Sequence, residues 1–460
     1  GTGTVTFDGA SGTQTIDSGG DDFYSVTIDN TGTSVQLTGN DVTQLAGGVL
    51  SFTQGTLDLN GKVWTLGADF NPAPTSAAKI DFSSNAASTL TGGSSYDLTL
   101  ADADMTIDQN AGNITCRDYS HSAGTHNISG AIGGGALNCR NFSHTGGTLT
   151  ASTASLNLTG NATVTSPFSF TASNTNIVMS GNSTNINASV PICGLHIQAD
   201  GVSIDSANDL DVDGAFYLDS GSFSMNSKNM NVAGNFTLNS GTTFTKGSTL
   251  TFDGDLTYTD NTAAGTNIGS AVIGSSPDVI HLASDMIADS LTVNAGDSLY
   301  THGYDLDISD FITIDGTLDA TDDVAGDTTL ISLGGNWTVG AAGVFTAADS
   351  TVTFDGSAAF QEITTNGQSF NNLIFNGSGS WVLEDTLPAT VSINNDLTIS
   401  SGTLDAFDRA VYVGGNYSQD GGTFYSGTGG ITVDGSFSLS GSGEFKGGSG
   451  LSLIHISEPT

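Results

Sequence analysis

Apolar residues return along this chain in one short phrase. A bulky residue, an intervening polar one and a second apolar residue lead into a Gly, and a third apolar residue follows two places later. Phe216, Leu218, Gly221 and Phe223 form one copy, and Leu397, Ile399, Gly402 and Leu404 another. The unit is Φ-x-Φ-x-x-G-x-Φ. Its period of two describes a strand with one buried face. Gly, set among Asn, Asp and Ser, supplies the positive φ that a tight turn needs. Thr, Val, Ile and Phe suit a pleated surface and fill the strand positions. No stretch sustains a 3.6-residue period, and the good helix formers Lys, Glu and Arg are scarce.

The bulky residues recur at a near-constant step. Phe216, Phe236 and Leu256 are 20 apart, as are Leu291 and Phe311, and Leu397, Tyr417 and Phe437; Tyr119 and Phe142 are 23 apart. One such unit cannot bury its own apolar face. Stacked units can, each setting its bulky residue on the one below at about 4.8 Å. The spacing therefore predicts an all-β fold, a parallel β-solenoid with coils of about 20–23 residues. The columns Phe216–Phe236–Leu256 and Leu397–Tyr417–Phe437 are expected inside it. Right-handed coiling is expected by extension of the crossover rule. An array of β-sandwich domains of about 100 residues is the rival, but the step is too short for it.

A longer repeat overlies the short one. Thr4-Val-Thr-Phe-Asp-Gly9 recurs at 351–356, and the same offset of 347 carries Gln14 to Gln361, Phe23 to Phe370 and Phe70 to Tyr417. Residues 4–70 thus match 351–417, and 1–450 is expected to be one continuous solenoid repeat region. Residues 451–460, LSLIHISEPT, contain no Gly, Asn or Asp. This tail resembles a translated sequencing adapter and is expected to be non-native. The chain opens mid-repeat without Met or a signal-peptide pattern, as a metagenomic fragment of something longer would.

Charge narrows the partners. Eight Lys and Arg stand against 47 Asp and Glu, a net −39. Such a chain is not expected to bind nucleic acid or an anionic membrane surface. No apolar run reaches about 18 residues, so it is not expected to be embedded in a membrane through a helix. Three cysteines make no disulfide framework.

The GTLD…V-x-V-G-G-N-Y pattern at 402–417, its looser copy at 55–70 and the repeated TVTFDG resemble the β-strand-repeat surface proteins of bacteria. These are the haemagglutinin-type and autotransporter-passenger-like β-solenoids, typically secreted adhesins. The resemblance covers most of 1–450 and brings no catalytic signature. It implies an extracellular or cell-surface location and a structural or adhesive role.

Two successive coils carry the same unusual residues. Ile114-Thr-Cys-Arg-Asp-Tyr-Ser-His121 matches Leu137-Asn-Cys-Arg-Asn-Phe-Ser-His144, which sets Cys116 on Cys139, Arg117 on Arg140 and His121 on His144. Cys and His are zinc and copper ligands, so these four are candidate metal residues. Duplication of one coil, with inward Cys acting as a small apolar residue, explains the match as well, and CxxC spacing is absent. The expectation is that they hold no metal tightly. A Cys116–Cys139 disulfide is sterically conceivable.

Asp209, Asp211 and Asp213 resemble a fragment of a calcium loop, as do Asp305, Asp307 and Asp310. Twelve-residue calcium loops end in Glu, whereas Ser220 stands there, so only loosely bound Ca²⁺ is expected. Parallel β-helices include carbohydrate-active lyases and hydrolases, which need clustered Asp, a His and basic residues. Thr301-His-Gly303 and Asp322-Asp323 are the fragments closest to such a set. The sequence therefore points to a non-enzymatic stalk or adhesin segment of a large secreted or surface protein, contacting a host or environmental surface or a polysaccharide. A phage or virus fibre-like rod and a carbohydrate-active β-helix are the alternatives.

Overall fold

The computed structural model describes residues 2–82, 87–128, 135–152, 154–170, 175–274, 277–323, 328–384 and 390–447. Residues 451–460 lie outside them. Among the described residues every regular element is a strand, and the sheets are parallel and stacked as a β-solenoid. The chain divides into two compact units, one of Gly1–Gly234 with Gly241–Thr245 and one of Asn235–Ser240 with the chain from Lys246 on.

In the first unit a coil is built from about three strands. Met105–Asp108, Asn113–Thr115 and Asp118–His121 make one coil; Thr125–Ile128, Gly135–Cys139 and Asn141–His144 make the next. Corresponding strands pair in parallel, with Thr106 on Thr125, Ile114 on Leu137 and Tyr119 on Phe142. In the second unit Leu397, Tyr417 and Phe437 form the expected column on successive strands. The long repeat also folds alike at its start: Thr4 pairs with Ser25 in the first unit, and Thr351 with Asn372 in the second.

The alternation places the apolar residues inside. Phe236–Leu238 and Leu397–Ile399 bury their two ends and leave the middle residue partly exposed. Rings then stack from coil to coil: Tyr119 on Phe142 at 5.6 Å, Phe354 on Phe375 at 5.2 Å and Tyr417 on Phe437 at 4.6 Å between centroids, each within 10° of parallel. Each buried ring contributes about 1.5–3 kcal/mol by leaving water, with about 0.5–1.5 kcal/mol more from the ring pair.

Two glycines show why the turn demands them. Gly402 has φ +74°, and a Cβ there would lie 2.5 Å from the Gly377 carbonyl oxygen of the preceding coil. Gly316 has no positive φ; there a Cβ would meet the carbonyl oxygens of Asn294 and Asp297 at 2.2 and 2.3 Å, so close coil approach alone excludes a side chain.

The register differs from the fixed 20-residue step at two columns. Phe236 pairs with Tyr258, its ring 5.8 Å away and 3° from parallel, while Leu256 pairs with Ile280. Leu291 pairs with Ile312, not Phe311. Turn length varies between coils, and an apolar residue one or two places along competes for the same slot. Phe216 pairs with Leu195 within its own unit.

Candidate functional site

The acidic and amide residues have a position in the coil before they have any chemistry. At the turn leading into one strand, an Asp or Asn side chain accepts the backbone N–H of the equivalent residue one coil on. In the first unit the N–H groups of Asp97, Asp118, Asn141, Asn161 and Asn185 donate in turn to Oδ1 of Asp69, Asp97, Asp118, Asn141 and Asn161, at 2.8–3.2 Å. In the second unit Asp285 accepts from Asp305, Asp305 from Leu330, Asp396 from Asn416, and Asn416 from Ser436. A backbone N–H at a turn has no strand carbonyl to meet, and these side chains supply the acceptor.

The Cys/His duplication lies on this ladder. Asp118 pairs with Asn141 and His121 with His144 across adjacent strands, as the 23-residue offset requires. Arg117 forks onto Asp97, donating from Nε at 2.7 Å, and Arg140 forks onto Asp118, donating from Nε at 3.0 Å. The fork lowers the Asp118 carboxyl below its ordinary value against the opposing pull of burial. Both guanidinium groups are thus held by carboxylates of the coil below.

The sulfurs and the imidazoles part company. Cys116 and Cys139 are buried at the floor of a groove of about 470 Å³, which Arg117, Asn138, Arg140 and Asn157 also line. The Cys139 thiol is pushed well above its ordinary value by hydrogen bonding with Cys116, and further by burial. His121 and His144 are fully buried instead, their rings 4.9 Å apart, with Phe168 6.0 Å from His144. Each imidazole places Nε2 near a carbonyl oxygen, Gly124 at 3.4 Å and Pro167 at 3.3 Å, while both Nδ1 atoms lack a partner. Burial lowers both, His121 to about 4 with help from His144.

A third histidine in the same core was not anticipated. Gln109 donates from Nε2 to the Gly112 and Ala136 carbonyls, which leaves its Oε1 to accept from His126 Nε2–H at 2.9 Å. His126 Nδ1 is then the bare acceptor of the Tyr119 hydroxyl at 2.7 Å. Burial first, then the neighbouring His121 and His144, push His126 down to about 3. The relay is neutral, closed and satisfied, which suits a core rather than a reaction.

Among the described residues no three His, Cys, Asp or Glu gather as a metal-ligand set. Asp209 gives both carboxylate oxygens to Asn229, Oδ1 to its N–H and Oδ2 to its side-chain amide, at 3.0 Å each. Asp209 and Asp211 line a groove of about 390 Å³ with Ser189, Asn208 and Asn231, whereas Asp213 does not. Burial raises the carboxyls of Asp211 and Asp213 above the ordinary range. The strand holding Asp211 pairs it with Asn231, so the next coil offers an amide there, not a carboxylate.

The fragments Thr301-His-Gly303 and Asp322-Asp323 do meet. His302 Nδ1 hydrogen-bonds Asp323, and His302 Nε2 lies 2.7 Å from Nδ1 of His281, one coil back. Tyr300, paired with His281, stacks on its ring at 5.3 Å. In the first unit His196 similarly stacks on Tyr217 at 4.6 Å and contacts Asp219 at 3.0 Å. A histidine and a tyrosine about 20 residues apart on outward positions were the available signal for both.

No helix among the described residues is long and apolar enough to cross a membrane. No protein-family model, curated protein or solved structure matches the chain.

Proposed function

We propose that this solenoid is a structural segment of a large secreted or cell-surface bacterial protein, a stalk that displays adhesive surface. The observation that carries the proposal is the corner ladder. From Asp69 to Asn161 the side chains best suited to ligand binding are taken up in holding one coil to the next. The outward strand positions, such as Thr398, Ser418 and Ser438, repeat small hydroxyl residues from coil to coil. Such a face offers many equivalent weak hydrogen bonds to a polysaccharide or a host surface, and repetition turns weak contacts into retention. Divalent cations, Ca²⁺ included, are held loosely along the acidic surface. Beads coated with the purified chain test this under flow. Saturable retention on polysaccharide-coated or host-cell surfaces supports adhesion; retention no better than that of albumin-coated beads contradicts it.

A carbohydrate-active role has the His302–Asp323 contact in its favour. It predicts new reducing ends from a neutral polysaccharide panel, lost in His302→Ala. Chain scission absent from the whole panel leaves the stalk.

A further inference from the structure

The His281–His302 pair sits on an unusual turn. Residues Thr301–Tyr304 form a turn closed by the Tyr304 N–H to the Thr301 carbonyl, with φ +54° at His302 and +90° at Gly303. Two positive φ values in succession define a turn that Asn and Gly normally fill. A histidine there carries backbone strain, and such strain gathers at functional positions. The turn is anchored beneath by the buried Thr301 hydroxyl, which hydrogen-bonds Thr329 at 2.7 Å.

The turn aims the ring at a partner. As a carboxylate, Asp323 accepts from His302 Nδ1–H, so Nε2 of the neutral ring is the lone-pair nitrogen, and it faces Nδ1 of His281 at 2.7 Å. A carboxylate on the far nitrogen is the usual orienting contact of a metal-bound imidazole. Two nitrogens about 2.0 Å from one ion and at right angles to each other lie about 2.8 Å apart. The observed separation is close to that of adjacent ligands in a tetragonal site. Tyr300 holds the His281 ring from the side, its centroid 5.3 Å away.

We infer that His281 Nδ1 and His302 Nε2 bind one divalent transition-metal ion, Cu²⁺ best of the first row, with Asp323 orienting His302 and water completing the coordination. On binding, His281 carries its proton on Nε2 and His302 keeps its proton on Nδ1, so neither ring changes charge. Copper leads because a tetragonal nitrogen–oxygen site suits it and because it tops the divalent affinity order. The site is separate from the Cys116/His121 region and does not depend on the adhesive role.

The test is Cu²⁺ titration of the full chain, read by electron paramagnetic resonance and equilibrium dialysis. The expected result is one equivalent with axial parameters and superhyperfine splitting from two nitrogens. His281→Ala and His302→Ala each abolish the two-nitrogen signal, and Asp323→Asn weakens binding about 10–100-fold. His196→Ala and His455→Ala leave the signal unchanged. Copper held by oxygen alone, or a two-nitrogen signal that survives His281→Ala, overturns the assignment. His281 is exposed, so its replacement leaves the fold intact, which circular dichroism verifies.

Discussion

His121 shows how one residue can be tolerated and costly at once. It fills the inward slot that Leu100 takes one coil back and Val164 two coils on, and burial holds its folded value near 4. The unfolded value is about 6.5. A depressed histidine contributes stability above the unfolded value, and that stability is lost as pH falls toward the folded one. Between about pH 6.5 and 4 the unfolded chain takes a proton the folded chain refuses, at about 1.4 kcal/mol per unit. His126, near 3, acts in the same direction over a longer span. We predict that His121→Leu shrinks the loss of stability between pH 7 and pH 4.5 by about 2 kcal/mol. Removing the unpartnered Nδ1 also makes the variant at least as stable as the parent at pH 7. Urea unfolding at the two pH values measures both; an unchanged difference would show the imidazole protonating freely in the fold.

At the scale of the coil, the repeated unit was legible because each half of it has a physical cause. Φ-x-Φ must alternate to bury one face, and its glycine takes positive φ at Gly124, Gly221 and Gly402. The Tyr119–Phe142 and Tyr417–Phe437 pairs follow directly from such spacing. Phe236 does not follow, because Leu256 and Tyr258 are both apolar and two places apart, and only the turn between decides which is paired. The ladder was hidden for another reason. Asn and Asp are expected at any turn, so their recurrence at the first strand residue or just before it reads as turn chemistry alone. The duplicated Cys and His were legible as a stack, but their division between groove and core depends on side-chain direction. The ladder makes its own prediction: Asn161→Ala leaves the Asn185 N–H without its acceptor and costs about 1–3 kcal/mol. Asn161→Asp keeps the acceptor and stays within about 0.5 kcal/mol of the parent. Equal losses in the two variants, measured by thermal or urea unfolding, would mean the contact is incidental.

For the molecule as a whole, the question is how a net charge of −39 is tolerated. Some carboxylates do repel one another. Asp305 is raised by burial and by Asp285, and Asp297 by burial and by Asp278. A raised carboxyl gives stability below the unfolded value that is lost as pH rises through the folded value, so these groups oppose the histidines. Above the carboxylate range stability should therefore rise with pH and level off beyond about pH 6.5, where His121 and His126 are neutral in the folded and the unfolded chain alike. Each close pair costs about 1 kcal/mol at about 4 Å in water. Monovalent salt near 1 M shortens the screening length to about 3 Å. Melting temperature should rise steadily with NaCl, and more per mole with CaCl₂. A flat response to both salts would show the carboxylates too far apart to interact, and a sharp calcium step at one equivalent would reveal a closed calcium site.

The central claim is that equivalent residues of successive coils lie side by side in parallel register. Thr398, Ser418 and Ser438 are outward positions on three such strands, Thr398 paired with Ser418 and Ser418 with Ser438. Neighbouring strands are about 4.8 Å apart. Nitroxide labels on cysteines placed at all three, with Cys116, Cys139 and Cys193 replaced by Ala, test the register in one spectrum. The solenoid predicts orbital overlap between neighbouring labels and collapse of the spectrum to a single exchange-narrowed line. A three-line spectrum equal to the sum of the singly labelled chains would contradict it.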